Sequence, residues 1–284
     1  VGRRGINVNA IRDKAGWIPI VERTPPLLSK TVHDIRGYRQ VNAEERRKLL
    51  KNFGLNIHRP KRPGSMWARV TALGSYREVG RACHLVTTNE SRIMIDVGVN
   101  VANDNDPMPF FNAPEALPVD KLDAVILTHA HLDHAGMLPI LFKYGYRGPV
   151  YCTPPTRDLM LLLQTDYLKI GGSEGKMAPY SMEDIRTCQR HVVDVDWDQT
   201  TDIAPDIKMT FSNSGHILGS SAVHLHIGDG KHNLLFSGDQ KYEKSWLFDA
   251  ANTRFPRVES LVLESTYGSE GDYQPSRQEA NQEL

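Results

Sequence analysis

The sequence predicts an α/β layered domain that is preceded by a basic helical segment. From Met66 onward, short β-rich runs alternate with helical stretches, which is the pattern of sheets covered by helices. Residues 124–127 are apolar at every position, as expected of a strand buried on both faces. Of the 284 residues, 40% are hydrophobic and 24% are charged. These values are typical of globular proteins and exclude collagen-like and low-complexity chains.

The N-terminal segment contains several predicted elements. In chain order they are a helix that ends at Gly16, a strand at 17–21, helices at 31–38 and 42–54, and a linker at 59–64. Pro19 restricts the strand to a sheet edge, because proline has no amide hydrogen to donate. Asn42 and Glu45 have the spacing of a helix capping box, and Gly54 is a stop signal. We place a domain boundary in the linker.

The larger part of the chain, from Met66, contains most of the predicted strands. They lie near 68–73, 84–87, 92–95, 124–127, 207–211, 222–226, 233–237 and 261–263, with helices near 138–144 and 156–170. Turn residues separate the first three strands, which suggests an antiparallel meander.

The formal net charge of zero conceals a basic N-terminal part and an acidic remainder. Residues 1–70 contain 16 Lys and Arg against 5 Asp and Glu, whereas the remaining residues contain 18 against 29. A basic segment joined to an acidic body suggests an arm for polyanions such as nucleic acids. From charge alone, a solvated basic face is the alternative.

Cysteine usage and hydropathy exclude two classes of protein. Cys83, Cys152 and Cys188 are too few and too far apart for a disulfide framework, so we expect buried reduced thiols. No apolar run approaches the roughly 20 residues that cross a bilayer, and residues 1–5 lack the apolar core of a signal peptide. The sequence therefore predicts a soluble, cytoplasmic protein with no membrane partner.

The chemistry is concentrated in the run 128–136, which reads T-H-A-H-L-D-H-A-G. It contains four strong metal ligands within six positions, namely His129, His131, Asp133 and His134. The run directly follows the buried strand, at the sheet edge where α/β proteins bind ligands. One tetrahedral zinc ion could not use all four residues and keep an open position for catalysis. The count therefore favours two metal ions.

Two further segments supply candidate ligands. Ser214-Gly215-His216 follows the strand at 207–211, and Gly215 permits a close approach to a metal. Asp239 follows the strand at 233–237, and its carboxylate could bridge two cations. Neutral imidazoles suit zinc, and carboxylates offset the charge of the ion. Two adjacent cations lower the pKa of a water molecule, which suits hydrolysis of a phosphodiester.

Together these residues resemble the metallo-β-lactamase superfamily over roughly 70–264. The resemblance implies an αββα sandwich, here partial, that holds two Zn²⁺ ions. The implied ligands are His129, His131 and His216 for one ion, Asp133 and His134 for the other, and Asp239 as the bridge. Asp96, at the end of the strand at 92–95, matches an aspartate that supports the site in this superfamily.

A narrower resemblance involves the run 262–268, V-L-E-S-T-Y-G. It resembles the first motif of the β-CASP group of metallo-β-lactamase nucleases, whose acidic residue orients a catalytic histidine. Residues 73–74 and 78–81 also resemble the opening strand and turn of that group. The resemblance implies a zinc-dependent endoribonuclease in which Glu264, together with Asp133, has a catalytic role.

The N-terminus resembles a nucleic-acid-binding loop. Gly2-Arg3-Arg4-Gly5, followed by a helix and Trp17-Ile18-Pro19, resembles the Gly-x-x-Gly loop of a KH domain, which clamps the backbone of about four nucleotides of single-stranded RNA or DNA. The implied domains are the C-terminal part of a KH domain at 1–27, a basic helical linker at 28–64, and a metallo-β-lactamase domain at 65–284 that ends at the start of a β-CASP domain.

This domain order resembles the archaeal homologues of the cleavage and polyadenylation specificity factor endonuclease. The resemblance implies a role in RNA 3′-end processing and transcription termination on single-stranded RNA. It also implies RNA polymerase or the ribosome as partners, and a homodimer of the whole protein.

The sequence departs from this family because it lacks several of the family's features. The KH resemblance begins at residue 2, and the last histidine is His232, so we expect a fragment that lacks one metal ligand and the general acid and is inactive alone. Two other functions stay open. The basic arm and the Glu264 motif argue against a small-molecule hydrolase of the same superfamily, and the six intact ligands argue against a non-catalytic RNA-binding subunit. We assign no role to the remaining histidines, His33, His58, His84, His191, His224, His226 and His232.

Overall fold

The computed structural model describes residues 6–16, 29–103, 105–175 and 177–272, together with residues 27, 275, 279, 280 and 282. By its internal contacts the chain divides into two units, Val1–Gly37 and Tyr38–Leu284. Helix α1 (Ile6–Ala15) lies in the first unit and ends at Gly16, as predicted. The predicted strand at 17–21 lies outside the described residues.

Two longer helices follow, α2 (Lys30–Val41) and α3 (Ala43–Ile57). The predicted capping box at the start of α3 is wrong, because the Asn42 side chain caps no amide of the helix. Its Nδ2 instead donates to the carbonyl oxygen of Tyr38, 2.8 Å away. The predicted stop at Gly54 is also wrong. The carbonyl of Gly54 still accepts a hydrogen bond from the His58 amide at 3.0 Å, so the helix continues to Ile57.

The first sheet has six strands within the described residues, in the spatial order β1 to β6. They are β1 (Ala68–Gly74), β2 (Cys83–Thr88), β3 (Arg92–Ile95), β4 (Ala124–Ile126), β5 (Val150–Cys152) and β6 (Val192–Asp194). The strands β1, β2 and β3 pair antiparallel, which confirms the meander. From β3 to β6 the pairing is parallel, and β4 is buried at every residue, as predicted.

Helices follow β4 and β5 along the chain and cover one face of this sheet. They are α4 (Leu132–Ala135), α5 (Leu138–Lys143), α6 (Pro154–Ser173) and α7 (Met182–His191). Met94 and Val125 from the sheet pack with Leu141 of α5 and Met160 of α6 in one apolar core. Three thiols are buried and unpaired in this protein, as the cysteine spacing predicted. No helix among the described residues is long and apolar enough to cross a membrane.

The second sheet contains, in the part of the chain that the structure describes, five strands in the order β11-β10-β9-β8-β7. They are β7 (Thr201–Ala204), β8 (Ile207–Asn213), β9 (Ser221–Ile227), β10 (His232–Phe236) and β11 (Ser260–Val262). A second apolar core joins the two sheets, with Ile93 and Ile126 from the first and Phe211, Leu225 and Phe236 from the second. The described layers are therefore helix, sheet and sheet, which confirms the expected fold class as a partial αββα sandwich.

Several short elements escaped the sequence analysis. The strands β5 and β6 have three residues each and β7 has four, too few to show a period of two. Helix α7 does carry a signal: Ser181 and Asp184 form a capping box in which each side chain accepts from the backbone amide of the other residue.

Arg46 holds helix α3 against the end of α7. Its side chain is only 9% exposed, and it donates to the carbonyl oxygens of Gln189 (3.3 Å), Arg190 (2.6 Å) and Val192 (3.0 Å). The last carbonyls of a helix lack partners within the helix, and a cation suits the negative end of its dipole. Burial lowers the pKa of Arg46 to about 10.

Other basic residues of the N-terminal 70 are also bound within the second unit. The ion pairs are Arg39 with Asp194 (2.7 Å), Arg59 with Asp123 (2.6 Å) and Lys61 with Asp229 (3.2 Å). The charge that this segment can offer to a polyanion is therefore smaller than its composition suggests.

Candidate metal centre

The six residues that the sequence singled out as metal ligands meet at one edge of the sandwich. His129 and His131 follow β4, Asp133 and His134 lie in α4, His216 follows β8, and Asp239 follows β10. Strand β4 belongs to the first sheet, whereas β8 and β10 belong to the second. Because the sheets face each other, the ends of these strands meet at the same edge.

The first cluster contains three imidazoles and one carboxylate. Nδ1 of His131 lies 3.2 Å from Nε2 of His129 and 3.1 Å from Nε2 of His216. Oδ2 of Asp239 lies 3.7 Å from Nε2 of His129 and 3.4 Å from Nε2 of His216. Nitrogen donors at about 2.0–2.1 Å from a tetrahedral zinc ion are about 3.3 Å from one another. The cluster therefore fits zinc both in size and in donor type.

The second cluster contains His134, Asp133 and the other oxygen of Asp239. Nε2 of His134 lies 3.2 Å from Oδ1 of Asp239 and 3.7 Å from Oδ2 of Asp133. Asp239 thus presents one carboxylate oxygen to each cluster, which is the position of a bridging ligand. The second cluster has three donors among the described residues, one fewer than the first.

Helix α4 is short, and backbone hydrogen bonds from neighbouring segments fix it in place. The carbonyl oxygens of Leu132, Asp133 and His134 accept from the amides of Val99 (2.9 Å), Ala82 (2.8 Å) and Val97 (2.7 Å). A helix of four residues has few internal bonds, so these contacts determine where its two ligand side chains lie.

Asp96 and Thr128 determine which nitrogen two of the histidines present. Oδ2 of Asp96 accepts from Oγ1 of Thr128 and lies 2.8 Å from both that atom and Nδ1 of His134. Since the Thr128 hydroxyl donates to Asp96, it can only accept from Nδ1 of His129, at 3.0 Å. Both Nδ1 atoms therefore carry hydrogen, so Nε2 is the nitrogen that each ring can offer to a metal.

The supporting place expected for Asp96 agrees with this geometry. The residue is 1% exposed, has a φ of +58°, and its Oδ1 accepts from the Thr128 amide at 2.8 Å. Thr128 itself was missed by the sequence analysis. Its position directly before the histidine run, opposite the end of β3, is the signal that could have identified it.

Two glycines allow the loops that follow β8 and β10 to approach the site. Gly215 has a φ of +72°, and a Cβ there would lie 2.5 Å from the carbonyl oxygen of Lys241. Gly238 has a φ of +54°, and a Cβ would lie 2.9 Å from Cβ of Thr128. Both positions require glycine. The close contact at Gly215 is with the backbone of Lys241, whereas the close approach to a metal stays a prediction.

The local electrostatics favour a cation. Burial lowers the pKa of His129 and, to a lesser degree, that of His216. Burial also opposes a charge on His134, but the carboxylates of Asp96 and Asp239 raise its pKa above the ordinary value. Burial favours the neutral form of Asp239, yet the hydrogen bond and charge of His134 lower its pKa. A metal ion would replace the proton on His134.

A cleft of about 570 Å³ opens beside the second cluster. Asp133, His134 and Asp239 line it, and so does Glu264. The backbone amide of Glu264 donates to Oγ of Ser237 at 2.9 Å, and its Oε2 accepts from the Thr266 amide at 3.0 Å. Glu264 therefore lies in the same cleft as the second cluster but outside both donor sets.

Other candidates lie elsewhere. The predicted RNA contacts Gly2, Arg3, Arg4 and Gly5 are outside the described residues. His84, to which the sequence analysis assigned no role, lines the cleft. Its ring packs against Tyr76 and Phe236, with centroids 5.5 and 5.3 Å apart.

Comparison with known proteins gives two results. The profile of the metallo-beta-lactamase superfamily matches residues 76–277. Three archaeal proteins named transcription termination factor FttA are similar over 100% of this chain. The protein of Methanosarcina mazei is 52% identical to this chain, that of Methanothermobacter thermautotrophicus 49% and that of a Lokiarchaeum species 48%. The chain covers 45%, 45% and 44% of those proteins, so it spans less than half of their length.

Proposed function

The chain belongs to the metallo-beta-lactamase superfamily, and from that premise we propose that it is the metal-binding part of a zinc-dependent endoribonuclease. The proposed substrate is single-stranded RNA, and the proposed process is RNA 3′-end formation in transcription termination. The observation that carries the proposal is the pair of donor clusters that share Asp239. The names of the relatives support the process. Because those proteins are about twice as long, the activity proposed is that of the whole protein.

The donor sets divide the proposed ligands between two ions. His129, His131, His216 and Asp239 would hold one zinc ion, and Asp133, His134 and Asp239 would hold the other. When bound, the ions would lower the pKa of a water molecule and offset the negative charge that develops on a phosphodiester.

The remaining roles belong to side chains around the ions. Asp96 and Thr128 would hold the Nδ1 hydrogens of His134 and His129, so that Nε2 of each ring is the atom that binds a metal. Asp133 lines the cleft, and its carboxylate would bind the second metal ion on the side where the substrate lies. Glu264 would orient a proton donor for the leaving oxygen, and among the described residues no histidine bonds to it.

Zinc loading tests the site directly. We expect two zinc ions per chain, with the second bound more weakly because its cluster has three described donors rather than four. His131→Ala should abolish the tighter step, since Nδ1 of His131 is central to the first cluster. His232→Ala, which changes a histidine outside both clusters, is the matched control. Equal zinc content in all three proteins by elemental analysis would refute the assignment.

Cleavage distinguishes the proposed function from its alternatives. The zinc-loaded chain, alone and within a protein as long as its relatives, is incubated with single-stranded RNA, a thioester and a lactam. We expect the longer protein to cut RNA internally, and Asp133→Ala to abolish the cut. Hydrolysis of a small ester or lactam alone would indicate a small-molecule hydrolase. RNA binding without cleavage in the longer protein would indicate a non-catalytic subunit.

We propose further contacts for the N-terminal residues and for the whole protein. Gly2, Arg3, Arg4 and Gly5 would bind RNA phosphates, RNA polymerase or the ribosome would be the partner, and the whole protein would be a homodimer. Replacing Arg3 and Arg4 by Ala should weaken RNA binding for all sequences alike, since phosphate contacts do not depend on the base. Unchanged affinity at about 50 to 200 mM salt would contradict the contact.

A further inference from the structure

The loop that joins β1 to β2 forms one wall of the metal-site cleft. Ser75, Tyr76, Arg77 and Val79 all line the cleft, as do Ser265 and Thr266, which follow β11 in the chain. The loop therefore borders the space next to the second donor cluster, where a bound substrate would lie.

The conformation of this loop is fixed by internal contacts. Arg81 donates from Nε to Oε1 of Glu78 at 2.7 Å and from Nη1 to the carbonyl oxygen of Met108 at 3.1 Å. The amide of Ser75 also donates to Oε1 of Glu78, at 3.3 Å. These bonds close the loop on itself and tie it to the segment around Met108.

The loop also holds an unusual backbone. Ser75, Arg77 and Arg81 have φ values of +66°, +61° and +44°. Residues other than glycine seldom adopt such angles, and they persist where surrounding contacts enforce them. In this loop the enforced backbone presents the side chains of Tyr76 and Arg77 at the cleft.

Arg77 carries the only permanent positive charge among the described residues that line the cleft. It is exposed, and it forms no hydrogen bond or ion pair with another described residue. By contrast, Asp133, Asp239 and Glu264 on the cleft walls are acidic, and the two proposed zinc ions would offset that charge. An exposed guanidinium beside such a site is suited to a phosphate, which it can bind through two parallel hydrogen bonds.

Tyr76 precedes Arg77 and supplies an aromatic surface. Its side chain is 47% exposed, and its ring meets His84 edge to face at 5.5 Å and 77°. The contact with His84 fixes the ring, while the exposed part can stack on a nucleobase.

We propose that Arg77 and Tyr76 form a substrate-positioning site for single-stranded RNA, in which Arg77 binds a backbone phosphate next to the scissile bond and Tyr76 stacks on the adjoining base. The inference rests on the proposed nuclease function, since it assumes that RNA enters this cleft. Neither residue is a member of a donor cluster, so the role of this site can be measured separately from metal binding.

The test measures RNA binding rather than cleavage. The probe is a fluorescent 12-nucleotide 2′-O-methyl oligouridylate, checked for integrity on a denaturing gel and titrated with zinc-loaded protein at several salt concentrations. Arg77→Asn removes the charge with a residue that tolerates positive φ, and Arg77→Lys keeps the charge. Arg186→Ala, at an exposed position of α7, is the control. Zinc content is measured for every variant.

We expect Arg77→Asn to weaken binding about tenfold, and to reduce the slope of log Kd against log salt by about 0.7, the value for one phosphate contact on a single strand. Arg77→Lys should keep the slope, and Arg186→Ala should match the wild type. Tyr76→Ala should weaken binding about fivefold or more, whereas Tyr76→Phe should not.

The outcomes separate the two proposals. Equal affinity and slope for Arg77→Asn and wild type would overturn the positioning site, even if the protein cuts RNA. Failure of the wild type to bind the probe would overturn it as well, and cleavage of ordinary RNA would then still support the nuclease. The expected binding pattern without any cleavage of RNA would support the positioning site and count against the nuclease.

Discussion

A single hydroxyl group decides how one of the proposed ligands is protonated. Thr128 donates to Asp96 and so accepts from His129, which leaves Nε2 of that histidine free for a metal. Sequence patterns identify metal ligands by their own chemistry and spacing. A threonine that acts through a histidine has no such pattern, and only the geometry identifies it.

Removing that hydroxyl should weaken metal binding without unfolding the chain. In Thr128→Val the backbone amide can still donate to Asp96, but His129 loses the group that fixes its tautomer. We expect the zinc affinity of the first cluster to fall about 10- to 100-fold, measured by competition with a chromophoric chelator. Thr71→Val, on β1, should keep the wild-type affinity. An unchanged affinity in Thr128→Val would show that the tautomer is fixed in another way.

At the scale of elements, a buried cation joins two helices that are distant in sequence. Arg46 of α3 satisfies carbonyls at the end of α7, and Phe53 of α3 packs on His191 with ring centroids 5.6 Å apart. The basic composition of α3 suggested a surface for polyanions. The packing shows that one of its charges has a structural role instead.

Replacing Arg46 should destabilise the second unit. Arg46→Ala leaves buried carbonyl oxygens without a donor, so we expect the free energy of unfolding to fall by about 2 to 4 kcal/mol in urea denaturation. Lys48→Ala, on the exposed side of the same helix, should change it by less than about 0.5 kcal/mol. Equal losses in the two variants would mean that helix propensity, not the buried contact, decides the effect.

The capping box of α7 allows a second test at this scale. Ser181 accepts from the amide of Asp184, and its own amide donates to the Asp184 carboxylate at 2.7 Å. Ser181→Ala should lower the free energy of unfolding by about 1 kcal/mol, whereas Ser181→Thr should keep most of the stabilisation that the cap provides. Thermal unfolding followed by circular dichroism is the measurement. No difference between the two variants would contradict the cap.

At the scale of the whole molecule, face-to-face packing of the sheets partly buries a histidine that the metal site does not use. His84 projects from β2, packs on Phe236 of β10, and has an Nδ1 without a hydrogen-bond partner. Burial lowers its pKa from 6.5 to about 4. In the folded chain this imidazole therefore stays neutral over a pH range in which it is protonated in the unfolded chain.

The sign of the pH dependence follows from that difference. Between about pH 4 and 6.5 the unfolded chain binds more protons, so stability is retained above 6.5 and falls as the pH is lowered towards 4. At about 1.36 kcal/mol per pKa unit, the contribution of His84 is at most about 3 kcal/mol. In metal-free protein, His84→Leu should lose less stability than the wild type over this range. His58→Leu should follow the wild type, and identical slopes in all three proteins would refute the assignment.

The sequence by itself determined which side chains are the candidate ligands and much of the layered fold. The six proposed ligands, the meander of β1 to β3 and the buried strand β4 could all be predicted, because ligand type, spacing and hydropathy are local properties of the chain. The short strands β5, β6 and β7 could not, since three or four residues carry no period. Their place in the sheets depends on pairing with distant segments.

Only the tertiary structure decided which groups surround the ligands. Asp96 and Thr128 lie 32 positions apart, and the pairing of β3 with β4 brings them together at 2.8 Å. The packing of the two sheets likewise brings Asp239 to both donor clusters and places Arg77 at the cleft. A sequence records which side chains are available. Distances between them arise from burial of two apolar cores, which is a property of the whole chain.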